Sequence, residues 1–125
     1  MNNRSENQTI LVIEDDFGIQ DSIKLILESE GYKVSLANNG KEAMDQLKST
    51  SLPCLILLDL MMPIMDGWTF RSEQIKDPVL SKIPVIIMSA DGQIQQKTDS
   101  VNATAFLKKP IHLDILLKTI KTYCY

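Results

Sequence analysis

The chain has 125 residues, 44% hydrophobic and 23% charged, with five Gly and five Pro, the balance of one ordinary globular domain and too short for two. At this length folding buries roughly two-thirds of the surface of the extended chain, so a core is expected without disulfides or a structural metal. Thirteen Lys plus Arg against sixteen Asp plus Glu leave a net charge of -3, which argues against nucleic-acid binding and against adhesion to an anionic membrane, since both need a basic field.

The polar start, Met1 to Gln8, lacks the apolar stretch of a signal peptide, and no apolar run approaches the ~20 residues that span a bilayer. The expectation is a soluble, cytoplasmic protein in which residues 1–8 form a flexible tail and residues 9–125 one domain. Cys54 and Cys124 show neither a disulfide framework nor a zinc spacing, and are expected to be free thiols.

Short apolar runs then alternate with amphipathic stretches. Ile10 to Ile13, Leu55 to Leu58 and Val85 to Met88 are continuous and rich in branched residues, as in strands of a parallel sheet buried on both faces. Lys33 to Ala37 and Thr104 to Leu107 are weaker and suit the sheet edges. Ile19, Ile23, Ile26 and Leu27 fall on one helical stripe, with Asp16 placed to cap its start and Gly31 to end it. Ala43, Met44 and Leu47 mark a second helix after the Asn38-Asn39-Gly40 turn. A third is predicted from about Gly67 to Ile75, stopping before Asp77-Pro78, and a fourth from about Ile94 to Val101. Leu113, Leu116, Leu117 and Ile120 form the last stripe. Strands alternating with helices predict an α/β fold, a doubly wound parallel sheet covered on both faces.

In such sheets ligands bind outside the carboxyl ends of the strands. Glu14-Asp15-Asp16 ends the first strand, Asp59 the third and Ser89-Ala90 the fourth, while the fifth runs into Lys108-Lys109-Pro110. Asp16 and Asp66 read most simply as helix caps. Asp59 directly follows an apolar run at the mouth of the central strand. Two carboxylates about 4 Å apart repel by roughly 4 kcal/mol at an effective dielectric near 20, so converging acids require shifted pKa values or a cation. With only oxygen donors at hand, the ion favoured is Mg²⁺. A hard ion and a lysine beside an Asp point to phosphoryl chemistry, with the carboxylate attacking to give an aspartyl phosphate.

Four stretches resemble the receiver domain of two-component response regulators: Ile10 to Asp16, Leu57 to Gly67, Ile83 to Ala90 and Phe106 to Pro110. The resemblance runs from about Thr9 to the last helix and implies a five-stranded flavodoxin-like sheet of order 2-1-3-4-5 with five helices. It implies that Asp59 is the phosphoacceptor, and that Asp15, Asp59 and the backbone carbonyl of Met61 bind Mg²⁺, with Glu14 acting through a metal-bound water. Ser89 and Lys109 would each contact a phosphoryl oxygen, and Pro110 would follow a cis bond. Phe106 stands at the aromatic switch position, where the ring moves inward as Ser89 moves toward the phosphoryl group. Asn102-Ala103 replaces the commoner Gly-Ala, and Phe106 lacks a tyrosine's hydroxyl. By the same resemblance, Met61 and Asp91 stand at positions that modulate dephosphorylation in the family. His112 is expected at the surface or as a cap, and Trp68 in packing.

The implied function is a phosphorylation-dependent switch, not a turnover enzyme but a phosphoacceptor that catalyses its own phosphorylation and dephosphorylation. It would be loaded by a sensor histidine kinase or histidine phosphotransfer protein. It would signal to a protein target through the surface of the fourth predicted helix, fifth strand and last helix, either as a stand-alone receiver, the reading preferred, or as one domain of a longer regulator, monomeric or dimerising on phosphorylation. An alternative is an interaction module that keeps the fold and works without phosphorylation; its expected mark, loss of Asp59, Lys109 or the acidic pair, is absent. A haloacid-dehalogenase-type enzyme would need a second Asp where Met61 stands, and a flavin protein a hydroxyl-rich loop where the acids stand.

Overall fold

The computed structural model describes residues 9–49, 51–90 and 103–124. Along the chain lie β1 (Thr9–Ile13), α1 (Phe17–Ser29), β2 (Lys33–Ala37), α2 (Gly40–Ser49), β3 (Leu55–Asp59), α3 (Gly67–Lys76), a 3-10 turn (Leu80–Lys82), β4 (Val85–Ser89), β5 (Ala105–Lys108) and α4 (Leu113–Tyr123). Every strand pairing is parallel and the order is β2-β1-β3-β4-β5, the doubly wound arrangement expected. The predicted tail, the helix predicted near 94–101, Asp91 and Asn102 lie outside the described residues. Among the described residues no helix is long and apolar enough to cross a membrane.

Strand alternation builds two cores. Ile10, Val12, Leu55, Leu57, Ile86 and Met88 face α1 and α4, where Ile23, Leu27, Leu116 and Ile120 cover them. Leu11, Ile13, Ile56, Leu58, Val85 and Ile87 face the other way, under Ala43, Met44, Leu47 and Phe70 of α2 and α3. Both faces of the central strands are therefore dry, which is why their sequences read as unbroken apolar runs. Asp16 Oδ1 accepts from the Ile19 N–H (3.0 Å) to cap α1, and Gly31, at φ 93°, follows its end. The last strand begins one residue later than predicted. Thr104 still donates its N–H to the Val85 carbonyl (2.9 Å), but lies ahead of the register that pairs Ala105 with Ile86.

The cysteines differ from expectation. Cys54 and Cys124 are bonded to each other, with Cα atoms 5.7 Å apart and 70 residues between them in sequence. Cys54 stands just ahead of β3, and Cys124 just after α4. Because α4 lies on the face that carries Leu55, both cysteines meet at the amino end of the sheet. Such a pairing is set by topology, so the spacing of two cysteines in sequence carries no trace of it.

Candidate functional site

The register pairs Ile13 with Leu58, so Glu14 and Asp59 emerge side by side at the carboxyl end of the sheet. Ser89 pairs with Lys108, and the Lys109 N–H donates to the Ser89 carbonyl (2.8 Å), which brings the lysine to the same end. An open cleft of about 680 Å³ is lined there by Glu14, Asp15, Asp59, Met61, Ser89 and Lys109. Carboxylate oxygens of Glu14, Asp15 and Asp59 lie within 4.8 Å of one another. Glu14 and Asp59 are buried and Asp15 is exposed. Lys109 Nζ is 2.7 Å from Glu14 Oε1 and 3.7 Å from Asp59 Oδ2.

One ammonium among three acids leaves excess negative charge in a partly dry site. Burial raises the Glu14 carboxyl from 4.5 to about 7, against the hydrogen bond from Lys109 and with the charge of Asp59 adding to the rise. The donor set fits a hard divalent cation: all the converging ligand atoms are oxygens, two of the acids are buried, and the cleft is open to solvent. Mg²⁺ is the ion that suits carboxylates while retaining water.

Local sequence fixes Asp59. The Met61 N–H donates to Asp59 Oδ1 (3.2 Å), while the Met61 side chain is 74% exposed. Gly67 donates its N–H to the Leu60 carbonyl (3.0 Å). A Cβ there would lie 2.7 Å from the Asp59 carbonyl oxygen and 2.7 Å from Leu60 Cα, so only glycine lets α3 start against the end of β3. Between them, the Met65 N–H donates to the Pro63 carbonyl (2.7 Å) around Ile64, which has φ 68°, a γ-turn strained for a β-branched residue. The Met65 carbonyl accepts from the Gly40 N–H (2.9 Å), which pins this loop to the start of α2.

Other residues singled out from sequence lie elsewhere. Asp66 caps α3, its Oδ1 accepting from the Thr69 N–H (2.8 Å). Phe106 and Trp68 are half-buried against the core beneath α2 and α3. His112 precedes α4 at the cap position without a side-chain capping bond. The Lys109–Pro110 bond is cis.

Sequence reasoning missed Gln20 and Asn38. The buried Gln20 amide donates to the Glu14 carbonyl and to Asn38 Oδ1 (2.8 Å). The Asn38 N–H in turn donates to Glu42 Oε1 (3.0 Å). With the Glu14 N–H bonded to the Ala37 carbonyl (3.0 Å), both backbone polar groups of Glu14 are tied down. The available signal was a polar residue on the apolar stripe: Gln20 precedes Ile23 and Leu27 at helical spacing and is buried with them.

The model of the response regulator receiver domain matches residues 10–121. The chain belongs to the response regulator receiver family. This receiver is 34% identical over 115 residues to the response regulator Rre1 of Synechocystis, covering 90% of this chain and 49% of that one. It is 31% identical over 119 residues to sporulation initiation phosphotransferase F of Bacillus subtilis, covering 94% of each. It superposes with a TM-score of 0.85 and 25% identity on the receiver domain of a sensor histidine kinase from Pseudomonas aeruginosa, covering 94% and 98% of the two chains; that structure holds a magnesium ion in its active-site cleft. The chain spans about half the length of the first curated relatives it matches. It is thus a receiver domain of two-component signalling, with an acidic cluster of the composition that a Mg²⁺ site requires.

Proposed function

We propose that this receiver is a cytoplasmic switch that takes a phosphoryl group onto Asp59 from a phosphohistidine of a sensor kinase or phosphotransfer protein. The observation that carries this reading is the convergence of Glu14, Asp59 and the Lys109 ammonium in one cleft. An Asp59 carboxylate oxygen attacks phosphorus and the P–N bond to the donor imidazole breaks. Lys109 shifts its ammonium toward the transferred oxygens, and the Ser89 hydroxyl donates to another. Asp15, Asp59 and the Met61 carbonyl would hold Mg²⁺, with Glu14 acting through a bound water. The ion would neutralise charge on the phosphoryl oxygens.

Beside the cleft runs a groove lined by Ile19, Ile23, Ile26, Leu113 and Leu116 and sharing Asp16 and Lys109 with the site, a surface suited to the donor protein. Phosphorylation adds charge that Ser89 and Lys109 satisfy better in one arrangement than another. Phe106 follows Ser89, and the face formed by β5 and the last helix passes the change to a protein target. The domain bounds of this reading are residues 9–125.

Intact-mass measurement after incubation with acetyl phosphate and Mg²⁺ tests it. One phosphoryl adduct is expected on the wild type, suppressed by EDTA and absent from Asp59→Asn. An adduct retained by Asp59→Asn refutes the acceptor; no adduct on either protein favours an interaction module that works without phosphorylation.

A further inference from the structure

The phosphoryl site uses the carboxyl end of the sheet and leaves unexplained a pair of sulfurs at the amino end. We propose that Cys54 and Cys124 are a reversible thiol–disulfide couple, a redox modification site that clamps the end of α4 to the start of β3.

The pair is held in place by bonds that do not involve sulfur. The Cys54 N–H donates to the Thr9 carbonyl (2.9 Å), and the Cys124 N–H to the Ile120 carbonyl (2.7 Å). The Cys124 carbonyl accepts from the Tyr32 hydroxyl (3.1 Å). Ile120 and Leu116 anchor the helix that delivers Cys124 to the sheet. The 5.7 Å between Cα atoms lies inside the range a disulfide spans. Bonds other than the disulfide thus hold both backbone positions in the sheet end, so on this proposal reduction leaves the two thiols poised to rejoin. Cys124 is buried, whereas Cys54 is half-exposed, so a reagent meets Cys54 first.

The chemistry balances with a low-molecular-weight disulfide as oxidant. The Cys54 thiolate attacks one sulfur of glutathione disulfide and expels a glutathione thiolate. The Cys124 thiolate then attacks the Cys54 sulfur of the mixed disulfide and expels the second. Two protein thiols become one disulfide, the oxidant becomes two thiols, and the two protons pass to them. Excess dithiol runs the exchange backward. The ring so closed contains Asp59, at the far end of the strand that follows Cys54, and Lys109, just ahead of the helix that precedes Cys124. Oxidation therefore restrains the helix that follows the site's lysine, a second input independent of the phosphoryl reading.

The test is a redox titration of the full chain in mixtures of reduced and oxidised glutathione, acid-quenched, alkylated with iodoacetamide and weighed intact. We expect one transition between a doubly alkylated protein and an unalkylated protein that is two hydrogens lighter than the unmodified reduced chain, reached at the same ratio from either direction. Cys54→Ser and Cys124→Ser should form no internal bond. Amide exchange in the last turn of α4 should be about tenfold slower in the oxidised form. A bond that never forms, or one that resists every ratio in the folded protein, overturns the couple; equal exchange of α4 in both forms overturns the clamp.

Discussion

At the carboxyl end of the sheet Glu14, Asp15 and Asp59 face one another with the Lys109 ammonium beside them, whereas at the amino end Cys54 and Cys124 are covalently joined and the Tyr32 hydroxyl bonds the Cys124 carbonyl. The first end is open, charged and mutually repulsive; the second is closed and largely apolar. The same strands run into both. The contrast teaches that a site needing excess negative charge is tolerable because the rest of the fold supplies the cohesion that the site lacks.

The largest effect should come from opening the closed end. Removing a crosslink across a 70-residue span costs about 4 kcal/mol in the chain-entropy model, so Cys124→Ser or wild type in dithiothreitol should melt well below the oxidised protein. Equal melting temperatures would erase the contrast. Next is the hinge between core and cleft. Gly67→Ala drives a methyl against backbone atoms at 2.7 Å, and should cost about 2 kcal/mol by urea denaturation, with phosphoryl uptake impaired as the end of β3 is displaced.

The smallest effect concerns the acids themselves. Glu14 is raised from 4.5 to about 7, so its stabilising contribution is complete below 4.5 and is lost as pH rises through about 7. Metal-free protein in EDTA should therefore lose stability from about pH 5.5 to pH 8, and Glu14→Gln should flatten that slope. Mg²⁺ at ten times its dissociation constant should restore about 1.4 kcal/mol at pH 8, and less at pH 5.5 where protons compete. Identical denaturation curves with and without the ion at pH 8 would remove the metal from the account.

Much of this architecture was legible in the residues. Ile10 to Ile13, Leu55 to Leu58 and Val85 to Met88 are strands because no other element of that length buries both faces, and the acids, serine and lysine that end the strands converge as parallel topology requires. Two kinds of feature were hidden. The cysteine pairing depends on where α4 ends relative to β3, a property of the assembled layers. The support from Gln20 and Asn38 depends on which polar groups a helix turns inward, and a pattern built on apolar positions passes over a buried amide whose partners are backbone and another amide.

The alternation along β3 has a bearing on fidelity. Leu55 and Leu57 belong to one core while Ile56 and Leu58 belong to the other, so a slip of one residue would exchange the two sets and mismatch every packed layer. The same slip would carry Asp59 about 3.3 Å along the strand and turn it to the opposite face. The alignment that seats Leu55 and Leu57 in one core and Ile56 and Leu58 in the other also sets the aspartate beside Glu14. The interior therefore works as a key: greasy contacts with no chemistry of their own decide which face of the sheet the carboxylate takes.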